Sequence, residues 1–556
     1  MNGGAGSAGD GRWPKAAASG DAAAPMSAAE SERLTHEQGF TAGHNPWVIA
    51  LTVTLATFME VLDTSIANVS LPHIAGSLSV SQDESTWVLT SYLVSNAVIL
   101  PVSGWFATKI GRKRFYMGCV VIFTISSFLC GIAPNLGLLV FFRVVQGLGG
   151  GGLGPSEQAI LADTFPPAKR GMAFAVYAMA VVLAPAIGPT LGGYITDHFS
   201  WRWVFFINVP VGLVSLLLSA RVVQDPPHLV EAKKRAGRVD YVGLALIAVG
   251  LGALEYVLDK GQEDDWFNSH TVVLFVVIAA VALVSFVVWE LREEHPVVDV
   301  RLFKNASFAS ANLMMLVLGI ALYGSTVLLP QYLQVWMGYS AQQAGMVLSP
   351  GGVTVILLLP FVGRLVGKVD SRYLIGFGFT ILSVALYHMA RTIHPGMDFA
   401  TAMWLRIFQS VGLAFLFVPI NTIVYVGVPP SKNNAVSGIV NLARNMGGDI
   451  GIAIVTTLIA RRSQFHQSRL AAHTDPWNKA FTSQVAGIAQ ALQHAGISAA
   501  DATQRAYAAV YGRLVREAQT LAYLDVLLVF AVFTALMVPL VFLTRRPKPG
   551  AAPAGH

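Results

Sequence analysis

Two carboxylates three residues apart, Glu60 and Asp63, stand inside an apolar stretch that begins near Trp47 and is long enough to cross a bilayer. A charge at bilayer depth costs roughly 2.5–3.5 kcal/mol on insertion scales, so such a residue marks function. At a spacing of three the two share one helix face. Carboxyls that close cannot both ionise cheaply, and the pair is expected to bind a proton. The chemistry is proton handling within a membrane. Glu157 and Asp449 lie in further apolar stretches, as do Arg143, Arg406 and Arg444. An arginine does not deprotonate, so each buried one demands acceptors.

The elements that must hold these groups follow from composition. The chain is 54% hydrophobic and only 12% charged, far below the roughly 25% charge of soluble domains. Apolar runs of about 20 residues recur, which is the mark of an all-α polytopic membrane protein. Fourteen spans are expected, near 46–68, 87–108, 115–133, 137–163, 171–195, 203–221, 239–258, 271–290, 307–329, 342–366, 373–391, 400–427, 435–460 and 521–543. Residues 1–45 are rich in Ala, Gly and Ser and read as a disordered tail. With the N-terminus in the cytoplasm, 24 of the 37 Lys and Arg residues fall on the inner side, and the short outer loops carry only Arg202, Lys260 and Arg391. That imbalance places both termini in the cytoplasm. Trp47, Trp87, Trp201 and Trp203 near span ends are expected to be interfacial anchors. Cys119 and Cys130 share one span and provide no metal spacing; packing is their expected role.

An internal repeat sets the domain plan. Arg143 and Gln146 in the fourth span recur as Arg406 and Gln409 in the twelfth, and the Gly104–Lys113 loop is faintly echoed at Gly363–Arg372. Two six-helix halves, 46–222 and 306–545, are expected to flank a two-helix insert at 223–305, with a short tail at 546–556. Repeated halves around a central site are the sequence mark of secondary transporters. The segment 461–520 is expected to be a long outer loop with amphipathic helices near 462–472, 483–494 and 499–521.

Several motifs carry a family resemblance. They are Leu62–Pro72 in the first span, Gly104–Arg114 after the second, Arg143–Gly147 in the fourth and Gly188–Gly193 in the fifth. Trp201–Pro210, Leu329–Gln334 and Leu442–Gly448 complete the set. Together they resemble the fourteen-helix drug:proton antiporters of the major facilitator superfamily, and within them the EmrB-like multidrug exporters. The resemblance covers about residues 46–545. It implies the major facilitator fold, Asp63 as proton carrier and Arg143 as its coupling partner. It also implies partnership with a periplasmic adaptor of the EmrA kind and an outer-membrane channel of the TolC kind, in a bacterial inner membrane. The 461–520 loop is the candidate docking element, with a plain solvated loop as the alternative.

The residues add their own readings. Glu60 is not part of the family motif and either modulates Asp63 or faces a water-filled vestibule. Arg143 can also be a fixed link to carbonyls. Gln146 shares its face. Arg406 and Gln409 favour structure over coupling. Glu157, placed in the outer part of the fourth span, either lines an exit path or makes a buried hydrogen bond. Asp449 either pairs with Arg444 along its helix or is a second protonatable site. In the loop motif the usual acidic position is Thr108, so a carboxylate–arginine latch is expected to be weakened, with Gly104, Gly111 and Arg112 still permitting close approach and carbonyl binding. Gly188, Pro189, Gly192 and Gly193 are expected to let helices touch and the fifth span bend. Tyr92, Asn96, Tyr177, Tyr323, Gln331, Tyr332, Asn421 and Tyr425 are the candidate substrate contacts, since bulky apolar ligands suit pockets with a few polar groups.

The Gly147–Gly154 run matches a nucleotide-binding pattern only superficially. It lies inside a span with no preceding strand, so close packing is expected. No phosphate-loop signature, nucleophile–base pair or metal cluster occurs in the sequence, so neither an enzyme nor a cofactor is expected and the proton gradient is the energy source. The expected function is proton-coupled export of hydrophobic or amphipathic compounds, with lipid surroundings and no nucleic-acid partner. Two alternatives remain: export of one endogenous compound such as a fatty acid or siderophore, and a transporter-like membrane sensor.

Overall fold

The computed structural model describes residues 43–166, 169–226, 229, 240–475 and 477–542. The expected tails, apart from residues 43–45, and the basic stretch 233–238 lie outside the described residues. The chain runs up and down as fourteen long helices. In the N-terminal half these are α1 (Pro46–Leu78), α2 (Trp87–Ile110), α3 (Arg112–Gly131), α4 (Leu136–Thr164), α5 (Arg170–His198) and α6 (Trp203–Val222). The insert is α7 (Tyr241–Lys260) and α8 (His270–Arg292). The second half holds α9 (Ala306–Met337), α10 (Ala341–Val366), α11 (Ser371–Thr392), α12 (Phe399–Val424), α13 (Asn433–Ala471) and α14 (Ala499–Phe542). Twelve of these are apolar and long enough to span a membrane, and α5 is a thirteenth if its two bent parts count as one. The exception, α13, falls short in apolarity because it carries Arg444, Asp449 and a run of asparagines. It is nevertheless threaded between α14, α9 and α2.

Local signals start these helices. Side chains of Asn45, Asn135, Asp240, Asn305, Asp370 and Asp398 accept bonds from first-turn amides, and Ser340 with Gln343 forms a capping box. Gly111 joins α2 to α3 at φ 105°, a conformation other residues adopt only under strain. The α5 halves Arg170–Pro185 and Ile187–His198 meet at 41°, between Pro185 and Pro189, which each remove a backbone donor. The insert helix α8 is apolar all round and largely exposed, as a lipid-facing helix should be.

The halves meet most tightly at the Arg112 end of the bundle. A Cβ on Gly104 would stand 2.6 Å from the Asn434 carbonyl, and one on Gly171 2.7 Å from that of Gly363. At the opposite end, α7 leans on α2 and α13 together. Beyond that end α13 and α14 continue out of the bundle. Forty-four residues make α14 about 66 Å long, roughly twice the apolar thickness of a bilayer. The 461–520 segment is therefore mostly continuation of two membrane helices. A separate helix, Lys479–His494, packs Val485 and Ala489 on Ala506 and Val510 of α14. Of the four tryptophans, Trp47, Trp87 and Trp203 are exposed near helix ends, but Trp201 is buried against Phe205 with the Arg202 guanidinium over its ring. It packs the α5–α6 corner rather than anchoring at the interface.

Candidate functional site

Asp63 sits midway along α1 and is 1% exposed. Both its oxygens are engaged. Arg143 Nη1 donates to Oδ2 at 2.5 Å; Gln146 Nε2 and Asn208 Nδ2 donate to Oδ1 at 3.1 and 2.6 Å. The spacing of Arg143 and Gln146 by three puts both on the α4 face toward α1, and Arg143 Nη1 also donates to Gln146 Oε1 at 2.8 Å. Arg143 Nε donates to the Val88 carbonyl of α2, and its guanidinium lies 4.3 Å from the Tyr92 ring centre. Asn208 of α6 also donates to Ser127 of α3 at 2.9 Å. One carboxylate thus ties α1 to α4 and α6. Small residues allow the closeness. A Cβ on Gly188 would stand 2.2 Å from Ser65 Oγ and one on Gly192 3.0 Å from Ile66, so α5 presses on α1 beside Asp63. Gly193 has nothing within 4 Å and takes no part.

Glu60 shares the α1 face but not these partners. It accepts from Tyr92 at 3.0 Å and Asn96 at 3.3 Å, and it is half-buried. The two carboxyls are not a shared-proton pair, because Arg143, Gln146 and Asn208 saturate Asp63. Glu60 lies within electrostatic reach of Asp63 and also of Arg444 from the other half. Arg444 Nη1 donates to Tyr177 at 2.8 Å, Tyr177 bonds Asn441, and the rest of the guanidinium is held by its neighbour Asn445. The expected Arg444–Asp449 pair does not form among the described residues; five residues put the two on different sides of α13. The Asp449 carboxyl meets Glu255 of α7 instead.

Glu157 lies at the other end from the one expected. It is buried and accepts from Thr54 at 2.5 Å, in the half of the bundle where Trp47 of α1 meets Phe165 after α4. Because α4 runs opposite to α3, its C-terminal part returns to the Arg112 end. Glu157 is therefore not on a path through the opposite end.

The loop motif recovers a carboxylate from elsewhere. Thr108 donates its hydroxyl to the Gly104 carbonyl and accepts from Asn434 Nδ2 at 3.3 Å. Arg112 is buried and donates to Asp163 of α4 at 2.6 Å, to the Ala159 carbonyl and to Asn434 of α13 at 2.7 Å. Asn433 donates to the other Asp163 oxygen at 2.5 Å. A charged latch therefore spans the halves, and the expected weakening does not hold.

The second-half mirror lacks a carboxylate. Arg406 donates to Gln409 at 2.8 Å and to Thr326 at 3.3 Å. Thr326, Arg406 and Gln409 each stand 263 residues after Asp63, Arg143 and Gln146. At the position that repeats Asp63 stands the hydroxyl of Thr326.

Of the candidate substrate contacts, Tyr92 and Asn96 bond Glu60, Tyr177 bonds Arg444, and Tyr323 lies within electrostatic reach of both. The other four lie elsewhere. Gln331 is exposed, Tyr332 packs on Tyr523 of α14, Asn421 bonds its own helix and Tyr425 stacks on Phe174. The glycine run Gly147–Gly152 seats α4 against Tyr92, Asn96 and Cys119, as packing requires. Asn208, Asp163 and Glu255 had not been singled out. Asn208 lies within the Trp201–Pro210 motif, and Glu255 is a carboxylate in an apolar span of the kind that flagged Asp63.

The family model described as Major Facilitator Superfamily matches residues 53–452. The multidrug export protein EmrB of Escherichia coli K12 is 40% identical over 81% of this chain and 87% of its own. The fatty acid resistance protein FarB of Neisseria gonorrhoeae is 36% identical over 90% and 96%. The solved proton:xylose symporter XylE superposes with a TM-score of 0.56 at 14% identity, covering 89% of this chain and 96% of its own, a likeness of fold. The family model spans most of the chain and the relatives align along most of its length, so the chain belongs to the major facilitator superfamily.

Proposed function

We propose that the protein exports hydrophobic or amphipathic drugs from the cytoplasm in exchange for protons, without a cofactor. The observation that carries this is the buried Asp63–Arg143 ion pair, completed by Gln146 and Asn208. Removing one charge from a buried pair costs about 3–5 kcal/mol. Protonating Asp63 therefore weakens the tie between α1, α4 and α6, and a shift of that size is enough to reverse a conformational equilibrium. Protons reach Asp63 from the periplasm and favour the return to the inward-open state; their release to the cytoplasm accompanies substrate capture. With the basic end in the cytoplasm, the Arg112–Asp163 latch closes that side. Glu60 and Glu157 tune the proton step. Multidrug export and colistin resistance in the names of relatives support this reading.

The setting is a bacterial inner membrane, with a periplasmic adaptor of the EmrA kind and an outer-membrane channel of the TolC kind completing the path. The helical projection of α13, Lys479–His494 and α14 supports an adaptor contact. FarB, alike along nearly its whole length, supports a second reading in which fatty acids are the substrate. Purified protein in proteoliposomes tests both. A drug-dependent pH change supports drug antiport, and one confined to fatty acids supports the second. No change with either class overturns proton-coupled export and leaves a sensor.

A further inference from the structure

The insert helix α7 carries a group that the proton chemistry above does not use. Glu255 lies well inside α7, is 3% exposed, and its carboxyl is in hydrogen-bonding contact with that of Asp449 on α13. Its Oε2 has no hydrogen-bond partner and is sealed from solvent. No cation neutralises the two among the described residues. On α7, Asp259 accepts from Thr90 of α2 at 2.5 Å, and Lys260 is taken by Glu263 at 2.6 Å and Thr86 at 2.9 Å. On α13, Arg444 is turned to Tyr177 and Asn445. From α9, Tyr323 faces Asp449. On α8 the nearest acid, Glu290, is at the far end of α7 near Asp240. Two carboxylates in contact, one of them shut off from water, repel strongly in a low dielectric. One proton converts that repulsion into an O–H···O bond.

We propose that Glu255 and Asp449 share one proton and form a second proton-binding site, which fastens the insert to the C-terminal half. The geometry provides its consequence. Through Thr90, Thr86 and α2 the insert is bonded to the N-terminal half; through Asp449, and through Trp266 donating to Thr457 at 3.1 Å, it is bonded to α13. The insert therefore bridges the halves at the end opposite the Arg112 latch. When the shared O–H bond breaks, the proton passes to water at the half-buried Asp449, both groups are charged, and α7 parts from α13. The proposal deepens the proton-coupled reading but does not rest on Asp63.

Infrared spectroscopy of the full chain in lipid nanodiscs, titrated from neutral to alkaline pH, tests it. A protonated-carboxyl carbonyl band is expected at neutral pH, lost in Glu255→Gln and equally lost in Asp449→Asn. The double variant should lose no more than either single, because one proton is shared. It should persist in Asp63→Asn, which separates this site from the first. Two bands that disappear additively, or no band removed by either variant, overturn the proposal. Hydrogen exchange gives a second readout. Exchange in α7 should rise with pH in the wild type and stay flat in Glu255→Gln, whose amide donates to Asp449 at every pH. Exchange that is flat in both, or rises in both, overturns it.

Discussion

Asn208 Nδ2 stands 2.6 Å from Asp63 Oδ1, closer than Gln146 at 3.1 Å, and 2.9 Å from Ser127. The proposed proton site is thus a carboxylate with three side-chain donors from two helices, and α6 belongs to it as fully as α4. Hydrogen bonds to charged groups contribute about 1.5–3 kcal/mol. Asn208→Ala should therefore cut proton-coupled transport by roughly tenfold or more, while Asn208→Asp, which sets a second carboxylate against Asp63, should abolish it. Initial rates of drug-driven proton flux measure both; a wild-type rate in Asn208→Ala would remove α6 from the site.

The latch prediction concerns accessibility. Asp163→Asn removes the charge that Arg112 holds at 2.6 Å, a loss of about 3–5 kcal/mol for a buried pair. The Arg112 end should then open more often. A thiol reagent should label Ser437→Cys, now buried next to Gly438, which faces the Leu100 carbonyl of α2, several-fold faster in the Asp163→Asn background, and the native Cys119 and Cys130 are buried enough to stay silent. Unchanged labelling would mean that the latch is held by the backbone contacts at Gly104 and Gly438 alone.

Helix approach at α5 makes a contrast within one motif. A side chain at Gly188 meets Ser65 at 2.2 Å, whereas one at Gly193 meets nothing within 4 Å. Gly188→Val should destabilise by about 1–3 kcal/mol or more through overpacking and disturb Asp63, two residues from Ser65. Gly193→Ala should melt and transport like the wild type. Thermal unfolding in detergent, read beside transport, distinguishes the two.

Arg143 and Arg406 look alike in sequence, but only Arg143 has a carboxylate. Arg143→Gln should abolish coupling, while Arg406→Gln should lower stability and leave the ratio of protons to drug unchanged. That ratio, from reversal-potential measurements in proteoliposomes, is the discriminating quantity.

The projection formed by the far ends of α13 and α14 with Lys479–His494 is separable from the membrane bundle. Val485 and Ala489 pack on the distal part of α14, beyond the Asp525 contact with Arg462 and His466 that closes its base. Replacing Lys479–His494 by a flexible linker should leave proton-coupled transport in vesicles intact and eliminate capture of an EmrA-type adaptor. Adaptor capture at wild-type strength would place the contact elsewhere.

Much of the bundle was legible in the sequence because spans are written as apolar runs, and the Arg143 and Arg406 motifs exposed the repeat. Asp63 and Arg143 were legible as charges in those runs. What one helix could not reveal was its partners. Glu157 departs from its expected end because α4 runs opposite to α3, which returns its last turns to the Arg112 end. The Arg444–Asp449 spacing suggested a pair within α13, but five residues turn them apart, and Asp449 finds Glu255 across a helix boundary 194 residues away in sequence. Asp163 could not be matched to Arg112 from spacing, since that contact exists only once α3 and α4 pack. Tyr332 and Tyr425 read as ligand contacts because packing aromatics and binding aromatics have the same composition.

The account stands on one residue. Proton-gradient-driven dye uptake into inverted vesicles, with Asp63→Asn compared to the wild type, tests it most directly. Asparagine keeps the shape and cannot carry the proton. The account predicts that dye still binds while uptake no longer responds to the gradient; gradient-driven uptake at the wild-type rate in Asp63→Asn would contradict it.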